Sequence, residues 1–358
     1  KEMCYTTRMN TKNDCRCNSG IGGQAVLEGI MMRNKDKYAI AVRKPDGEIE
    51  VHTEDYVGLV RSPVPGKIPI IRGVIAFIES LVVGIRCLMY SASFFEEEED
   101  QKETNKDSTA DRTAGQDAED GKPAADRKES GQDIKTASGP ADKDEKKSDT
   151  LFVAGTLIVS FAMAVGLFMV IPYVVSRLLG SLTDNQLILS IAEALIRVGI
   201  FLGYLVVISN LKDIQRTFAY HGAEHKCINC IESGKELTVE NVLSSSRLHR
   251  RCGTSFLFFV IIVSIIFQMF ISVDSRVAQI LIRIALIPVI AGVSYEIIRL
   301  AGISNHPVMT ALSKPGMALQ KLTTKEPDKE QAEVAIQAVE AVFDWKTFLS
   351  ENKTKDVV

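Results

Sequence analysis

Hydrophobic and polar positions change their rhythm three times along this chain. In residues 20–66, Tyr38–Lys44 and Glu48–Thr53 alternate apolar with polar side chains around Pro45-Asp46-Gly47. A period of two places alternate residues on opposite faces of a strand, and Pro, Asp and Gly in that order supply a tight turn with its positive-φ residue. The pattern predicts a β-hairpin inside a small unit opened by Gly22-Gly23 and closed by Pro63, Pro65, Gly66 and Pro69. Further on the alternation gives way to long apolar runs at 151–179, 187–208, 255–273 and 277–300. About 20 apolar residues suffice to cross ~30 Å of hydrocarbon as a helix, so the runs predict four transmembrane helices. Pro172 and Pro288 predict kinks in the first and the last.

Two stretches fit neither rhythm. Ile70–Phe95 is apolar, yet Arg72, Glu79 and Arg86 recur every seven residues and share one helical face. A charged stripe on a greasy helix faces protein, headgroups or water, which predicts an interfacial or half-inserted helix over 67–95. Residues 96–149 open with Glu96–Glu99 and Asp100 and continue in Asp, Lys, Ser, Thr, Ala and Gly. They cannot bury enough apolar surface to offset their ordering entropy and are expected to be a disordered, solvated linker, with a tail for a basic partner as the other reading. The expected fold is therefore mainly α. An irregular start (1–19), a β-hairpin-containing unit (20–66), the interfacial helix and the linker precede a four-helix membrane domain (150–304). A C-terminal segment (305–358) follows, in which Glu326–Phe343 reads as an amphipathic helix opened by Pro327.

Charge and cysteine content refine this picture. The formal net charge of -3 averages an acidic tract with uncharged runs, and the basic residues are dispersed without an aromatic partner stripe, so no nucleic-acid binding is expected. Seven cysteines without regular spacing suit reduced thiols better than a disulfide framework. No charged-then-apolar leader is legible at the start, so no signal peptide is expected. The connection 211–254 carries Lys212, Arg216, Lys226, Lys235, Arg247, Arg250 and Arg251, whereas the two short connections carry little positive charge beyond Arg276. That asymmetry places the 211–254 loop and both termini in the cytoplasm, with the lipid bilayer as the main partner. Glu193 with Arg197, Arg283, and Glu296 with Arg299 lie inside spans. They read either as an ion path or as charges paired and snorkelling near the interfaces.

Candidate chemistry is concentrated in that loop. In Phe218-Ala-Tyr-His221-Gly-Ala-Glu224-His225-Lys-Cys227-Ile-Asn-Cys230-Ile-Glu232, positions 221, 224 and 225 share a helical face. Two imidazoles so spaced can grip a divalent ion, most naturally zinc, and Glu224 beside them could act as general base. His221-x-x-Glu224-His225 has the spacing of the inverted zinc metallopeptidases, a resemblance confined to this pentad. Further ligands are sought in His249 and Cys252 of Ser246-Arg-Leu-His249-Arg-Arg-Cys252-Gly-Thr254, in Glu240, and in Cys230. A short helix with Thr238 as N-cap and Glu240 in its first turn would fold the loop back and bring the two groups together. Three of the chain's five histidines fall in this one loop. Plainer readings exist for the same residues: His221 and His225 as headgroup-level side chains, Cys227 and Cys230 as small apolar residues on a helix. His52 and His306 read as ordinary surface residues, and Cys4, Cys15 and Cys17 lie in an irregular start.

Several longer motifs carry a family resemblance. Gly22-Gly-Gln-Ala-Val-Leu-Glu-Gly-Ile-Met-Met-Arg33, Arg72-Gly73 with Glu79-Ser80, His221-Gly-Ala-Glu-His-Lys226, Leu248-His-Arg-Arg-Cys-Gly-Thr-Ser255, Ser294-Tyr-Glu-Ile-Ile-Arg-Leu-Ala301 and Leu322-Thr-Thr-Lys-Glu-Pro327 resemble the YqhQ-like bacterial membrane proteins. The resemblance covers most of the chain outside its first twenty residues and 96–149, and it implies a metal-dependent enzyme of the cytoplasmic membrane without naming a substrate. Arg250 stands where the family motif commonly has a proline, and 96–149 looks like an insertion of this relative. The resemblance adds Gln24, Glu28 and Arg33, which either reach the site or stitch the 20–66 unit to the rest. The chain thus reads as a membrane protein with a cytoplasm-facing metal site, in which a hydrolase would use Glu224 as base. A non-catalytic scaffold or assembly partner, with metal only structuring the loop, and a transporter are the alternatives. A homo-oligomer or protein partner is compatible with each.

Overall fold

The computed structural model describes residues 18–58, 68–110, 155–181, 183, 185–271, 273, 275–303 and 306–355. The chain divides into two units, one of residues 1–98 with 201–358 and one of residues 99–200.

The first unit is organised on an antiparallel sheet of four strands in sequential order, β1 (Gly22–Val26), β2 (Gly29–Asn34), β3 (Lys37–Arg43) and β4 (Ile49–Asp55). The hairpin expected around Pro45-Asp46-Gly47 is β3–β4, with Gly47 at φ +91°. β1 and β2 extend the sheet beyond the sequence expectation. Their tight connections place Glu28 (φ +49°) and Lys35 (φ +50°) in the left-handed region, which residues of these types rarely signal.

Both faces of the sheet are covered, which explains the run of buried residues in β2 and β3. Ile30, Met32 and Ala41 face one core, whereas Met31, Ile40 and Val42 alternate to the other. On the second face Val26, Met31, Tyr38, Ile40 and Val42 pack with Val83 and Cys87 of α1 (Ile71–Ala110). Gln24 Nε2 donates to Gly84 O (3.2 Å), the Leu27 amide to Ser91 Oγ (3.2 Å) and Tyr56 Oη to Glu79 (2.5 Å). The charged face of α1 thus meets protein. α1 also runs through 96–110, the start of the stretch expected to be disordered, while 111–149 lies outside the described residues.

The first face of the sheet is covered by two helices. α4 (Lys212–Glu232) contributes Tyr220, Ala223, Cys227 and Ile231, spaced to form one stripe. α10 (Lys329–Val342) adds Ala332, Ala335, Ala338 and Val339, small residues that allow close approach to the strands. Its N-cap is Asp328, one residue after the expected Pro327, in a capping box with Gln331. Between these helices in sequence come α5 (Val239–Ser244), capped by Thr238 as expected, and α6 (Gly253–Met269). α7 (Arg276–Ala285), α8 (Ile287–Ile303) and α9 (Pro307–Thr323) follow, and α11 (Trp345–Lys355) ends the described chain. The break between α7 and α8 falls beside Pro288, as expected of a residue that cannot donate a helical hydrogen bond.

In the second unit α2 (Gly155–Leu178) contains a π-helical turn at Gly166–Val170 just ahead of Pro172. Glu193 and Arg197 of α3 (Gln186–Ser209) pair at 2.6 Å, and Arg197 Nε also donates to Phe168 O (3.0 Å).

Among the described residues, four helices are long and apolar enough to cross a membrane: Ile71–Phe95, Gly155–Leu178, Ile188–Ser209 and Val277–Gly302. The run expected over 255–273 forms the shorter apolar helix Gly253–Met269. The protein is thus mainly helical, with apolar helices suited to a multi-pass membrane protein and a small N-terminal sheet.

Candidate metal centre

α4 is buried almost all round over 219–232 because its two faces have different partners. The apolar face packs on the sheet and α10. The other face holds a layer of backbone carbonyls. Lys226 Nζ donates to Leu243 O (2.8 Å) and Ser245 O (2.9 Å), and Asn229 Nδ2 to Ser246 O (2.7 Å) and Leu248 O (3.1 Å). These bonds fold the 243–252 segment against α4 in a fixed register, as the short α5 helix led one to expect.

A second segment crosses the same helix. A Cβ at Gly222 would lie 2.0 Å from Lys325 O, so only glycine admits the chain there. The Lys325 amide donates to Phe218 O (2.9 Å), and this crossing delivers the Thr323 carbonyl to His221. Gln320 clamps the opposite side, accepting from the His249 amide (2.8 Å) and donating to His249 O (2.7 Å) and Ser255 Oγ (3.0 Å).

The result is a group of three donors. One ligand atom each from His221, His225 and Cys252 lies within 4.8 Å of the others. His221 Nδ1–H donates to Thr323 O (2.9 Å) and His225 Nδ1–H to Arg247 O (2.7 Å). A carbonyl can only accept, so each ring carries its proton on Nδ1 and turns an Nε2 lone pair away from that bond. His221 Nε2 stands 3.1 Å from Cys252 Sγ, and the rings of His221 and His225 have centroids 4.4 Å apart. Cys252 is the N-cap of α6, where its sulfur accepts from the Thr254 amide (3.4 Å). Ligand atoms bound at ~2.0–2.3 Å in a tetrahedral site lie about 3.5 Å apart, so this set fits a zinc-sized ion after small adjustments. A carbonyl on Nδ1 fixes the ring's orientation and tautomer, as is usual for a histidine that binds a metal through Nε2.

The other expected site residues are placed differently. His249 is buried beside the group, its ring 5.6 Å from that of His225, but its Nε2 points to Glu232 (3.7 Å) and Arg251 (3.4 Å). Burial, against the favourable bond to Glu232, lowers its pKa to about 4. Glu240 is exposed in the first turn of α5 and lies outside the group. Cys230 is buried in the core on the other side of α4, its thiol donating to Glu236 O (3.3 Å). Cys227 is enclosed in the same core, and burial raises both thiols.

Glu224 is buried and lies outside the three-donor group. Its Oε1 accepts from the Gly23 amide (3.1 Å), while its Oε2 has no hydrogen-bond partner among the described residues. Burial raises its pKa against the pull of His221 and the Gly23 amide. Glu28 binds Arg216 and Tyr220 Oη (3.3 Å), Gln24 holds α1, and Arg33 stacks over Tyr56 (3.5 Å). Glu28 and Gln24 tie the sheet to α4 and α1, whereas the Arg33 contact stays within the strand unit. His52 pairs with Glu54 (3.0 Å), and His306 caps α9. Cys4, Cys15 and Cys17 lie outside the described residues.

Several supporting residues escaped the sequence reading. Asn229 continues the 221, 225 stripe by another four residues and was legible by spacing. Gln320 and Thr323 reach the site from a hundred residues' distance in sequence and carried no local signal.

Comparison with known proteins agrees with the motifs. The chain is 34% identical over 341 residues to "Uncharacterized protein YqhQ" of Bacillus subtilis (strain 168), covering 93% of this chain and 95% of that protein. No solved structure matches it. Residues 68–345 match the family described as "Protein of unknown function (DUF1385)", and the chain therefore belongs to that YqhQ-like family.

Proposed function

We propose that this protein is a membrane-anchored, metal-dependent hydrolase whose site faces the cytoplasm. The observation that carries the reading is the donor set itself. Two imidazoles of fixed tautomer and one thiol converge within 4.8 Å, three donors among the described residues, which is the number of protein ligands a catalytic zinc takes when its fourth position is left for water. Nitrogen and sulfur donors favour zinc over magnesium or calcium. Such an ion, when bound, supplies a Lewis acid and makes water nucleophilic near neutral pH. In this reading His221, His225 and Cys252 hold the ion, and Thr323 O and Arg247 O orient the two rings. Glu224 takes the proton released as water attacks an acyl or phosphoryl centre. Its unpartnered oxygen leaves a lone pair to accept a proton, and burial makes the carboxylate a stronger base than in water. Four crossings, by α2, α3, α6 and the α7–α8 pair, leave the sheet, α4 and α10 on the cytoplasmic side, in line with the positive charge of 211–254.

A second reading has one observation behind it. Glu224 already accepts from the Gly23 amide, as a purely structural residue would. There, metal would only tie the 246–252 segment to α4 in a membrane scaffold.

Metal analysis of the detergent-purified protein tests both. About one zinc per chain is expected in the wild type, and loss of it in His221→Ala/His225→Ala and in Cys252→Ala. A wild type that stays empty when purified with added zinc and no chelator would sink the metal-dependent readings. If Glu224→Gln retains metal but loses hydrolysis of the acyl and phosphoryl ester probes the wild type cleaves, the enzyme reading holds. If neither cleaves any, the scaffold reading replaces it.

A further inference from the structure

Three apolar helices, α1, α2 and α3, separate the sheet from α4 in sequence, and each is long and apolar enough to cross a membrane. The sheet and α4 nevertheless share one core, in which Ile21, Ile30, Met32 and Ala41 pack with Tyr220, Ala223, Cys227 and Ile231. Two segments of one water-facing core lie on the same side of a bilayer. The number of crossings between them must be even, so three apolar helices cannot all span.

We propose that α1 is the helix that does not cross. It lies in the plane of the membrane surface, with the sheet on one face and lipid on the other. Its contacts single it out. Glu79, Gly84, Cys87 and Ser91 touch the sheet or the residues flanking it, and Tyr90 stacks on His52 of β4 (5.2 Å). From residue 71 to 95 a helix advances about 36 Å, more than the ~30 Å hydrocarbon layer. If α1 crossed, it would draw β3 and β4, with the ion pairs of Lys44 to Glu48 and Glu50 and of His52 to Glu54, into the acyl chains, where charged side chains are costly and rare.

The opposite face of α1 has the composition of an interfacial helix. Ile78, Leu81, Val82, Leu88 and Met89 recur at helical spacing and are exposed. The depth is set by the start of the helix. Phe77 packs on Phe256 (ring centroids 5.5 Å), one turn into α6, and Arg72 makes a two-pronged pair with Glu296 of α8 at 2.6 and 2.5 Å. Gly73 sits against the Gly292 backbone, where a Cβ would meet Gly292 O at 2.8 Å. The start of α1 is therefore pinned about one turn inside the end of α6 and about two to three turns inside the end of α8, and one helical turn is about 5.4 Å. The Phe256 and Glu296 contacts lie at the ~5–10 Å burial of monotopic helices, with the Gly73–Gly292 contact about one turn deeper. The partner of this face is the lipid surface, and the acidic stretch that follows stays on the same side as the candidate metal centre. The inference rests on the multi-pass reading but not on metal or on catalysis.

The test uses two full-length proteins, one with an epitope between Gly121 and Lys122, the other with it in the exposed turn between Gly234 and Lys235. Each is probed with antibody in sealed inside-out and right-side-out vesicles. Both epitopes are expected on the same face. Epitopes on opposite faces would mean that α1 crosses and would overturn the inference. Both epitopes outside would overturn the cytoplasmic assignment while supporting the placement of α1. Release of the chain by alkaline carbonate would overturn this inference and the multi-pass reading together.

Discussion

Glu224 and Glu232 are two buried glutamates on one helix, two turns apart, and they live in opposite electrostatic worlds. Glu232 accepts from the Ser19 amide (2.9 Å) and hydroxyl (2.8 Å), pairs with Arg251 and faces His249. Burial alone would raise its pKa, but the His249 bond, the Arg251 charge and the Ser19 amide outweigh burial and hold it at about 2. Among the described residues Glu224 has one amide donor and an oxygen without a partner, and there burial wins and the pKa rises. Two buried carboxylates on one helix thus have their pKa values moved in opposite directions. What differs is the number of donors, and a helix position does not reveal that. The cysteines repeat the lesson, since Cys227 and Cys230 are sunk in core while Cys252 faces two imidazoles.

The strongest way to break the comparison is to dislodge the strap that encloses both glutamates' helix. Gly222→Val sets a branched side chain where Lys325 O allows none. The 323–327 segment must lift, removing the carbonyl from His221. A loss of several kcal/mol is expected, together with loss of metal. The fluorescence of the single tryptophan, Trp345, packed against this core, reports the unfolding. Gly203→Val, with open space around it, should leave the transition nearly unchanged. Next in size, Glu232→Gln strips Arg251 and the Ser19 donors of their carboxylate and should cost about 2–3 kcal/mol. An unchanged midpoint would show that Glu232 braces nothing.

Titration separates the same groups by sign. The folded pKa of His249, about 4, lies below its ordinary 6.5, so the unfolded chain binds the extra proton between those values. Stability therefore rises with pH across that window and is lost as pH falls from about 6.5 toward 4. Glu232 contributes in the same direction lower down, between its ordinary 4.5 and about 2. Glu224 opposes both, because a raised carboxyl pKa makes the native state the better proton binder above 4.5. Unfolding midpoints of metal-free protein between pH 7 and 5 should fall, and His249→Gln should flatten the slope. A slope unaffected by His249→Gln would assign the loss to another group.

How much of this was legible beforehand depends on the range of each interaction. The β3–β4 hairpin, the Thr238 cap and the charged stripe of α1 are local patterns, and the sequence displays them. His221 and His225 stood out because helical spacing alone places them together, and Cys252 because it shares a short loop with a histidine. β1 and β2 were hidden by turns built on Glu28 and Lys35, residue types without turn preference. Glu240 and Cys230 illustrate the opposite failure, since nearness in sequence suggested ligands that the fold directs to solvent and to core. Gln320, Thr323 and Ser19 belong to contacts that exist only after distant segments have met. The unequal surroundings of Glu224 and Glu232 are of that kind.

The smallest expected effect on stability is the most informative about that inequality. Glu224→Gln keeps the shape and can still accept from the Gly23 amide, while it removes a charge that burial disfavours. The desolvation cost of the carboxylate disappears and a neutral amide must be accommodated in its place, so the midpoint should move by no more than ~1 kcal/mol in either direction at pH 7. Metal content should be unchanged, because Glu224 lies outside the donor group. Its signature is in the pH profile: the decline in stability contributed above pH 4.5 should vanish, leaving the rise due to His249 steeper than in the wild type. A Glu224→Gln protein as damaged as Glu232→Gln would place a hidden donor on the free oxygen, and the two glutamates would then be braces of the same kind.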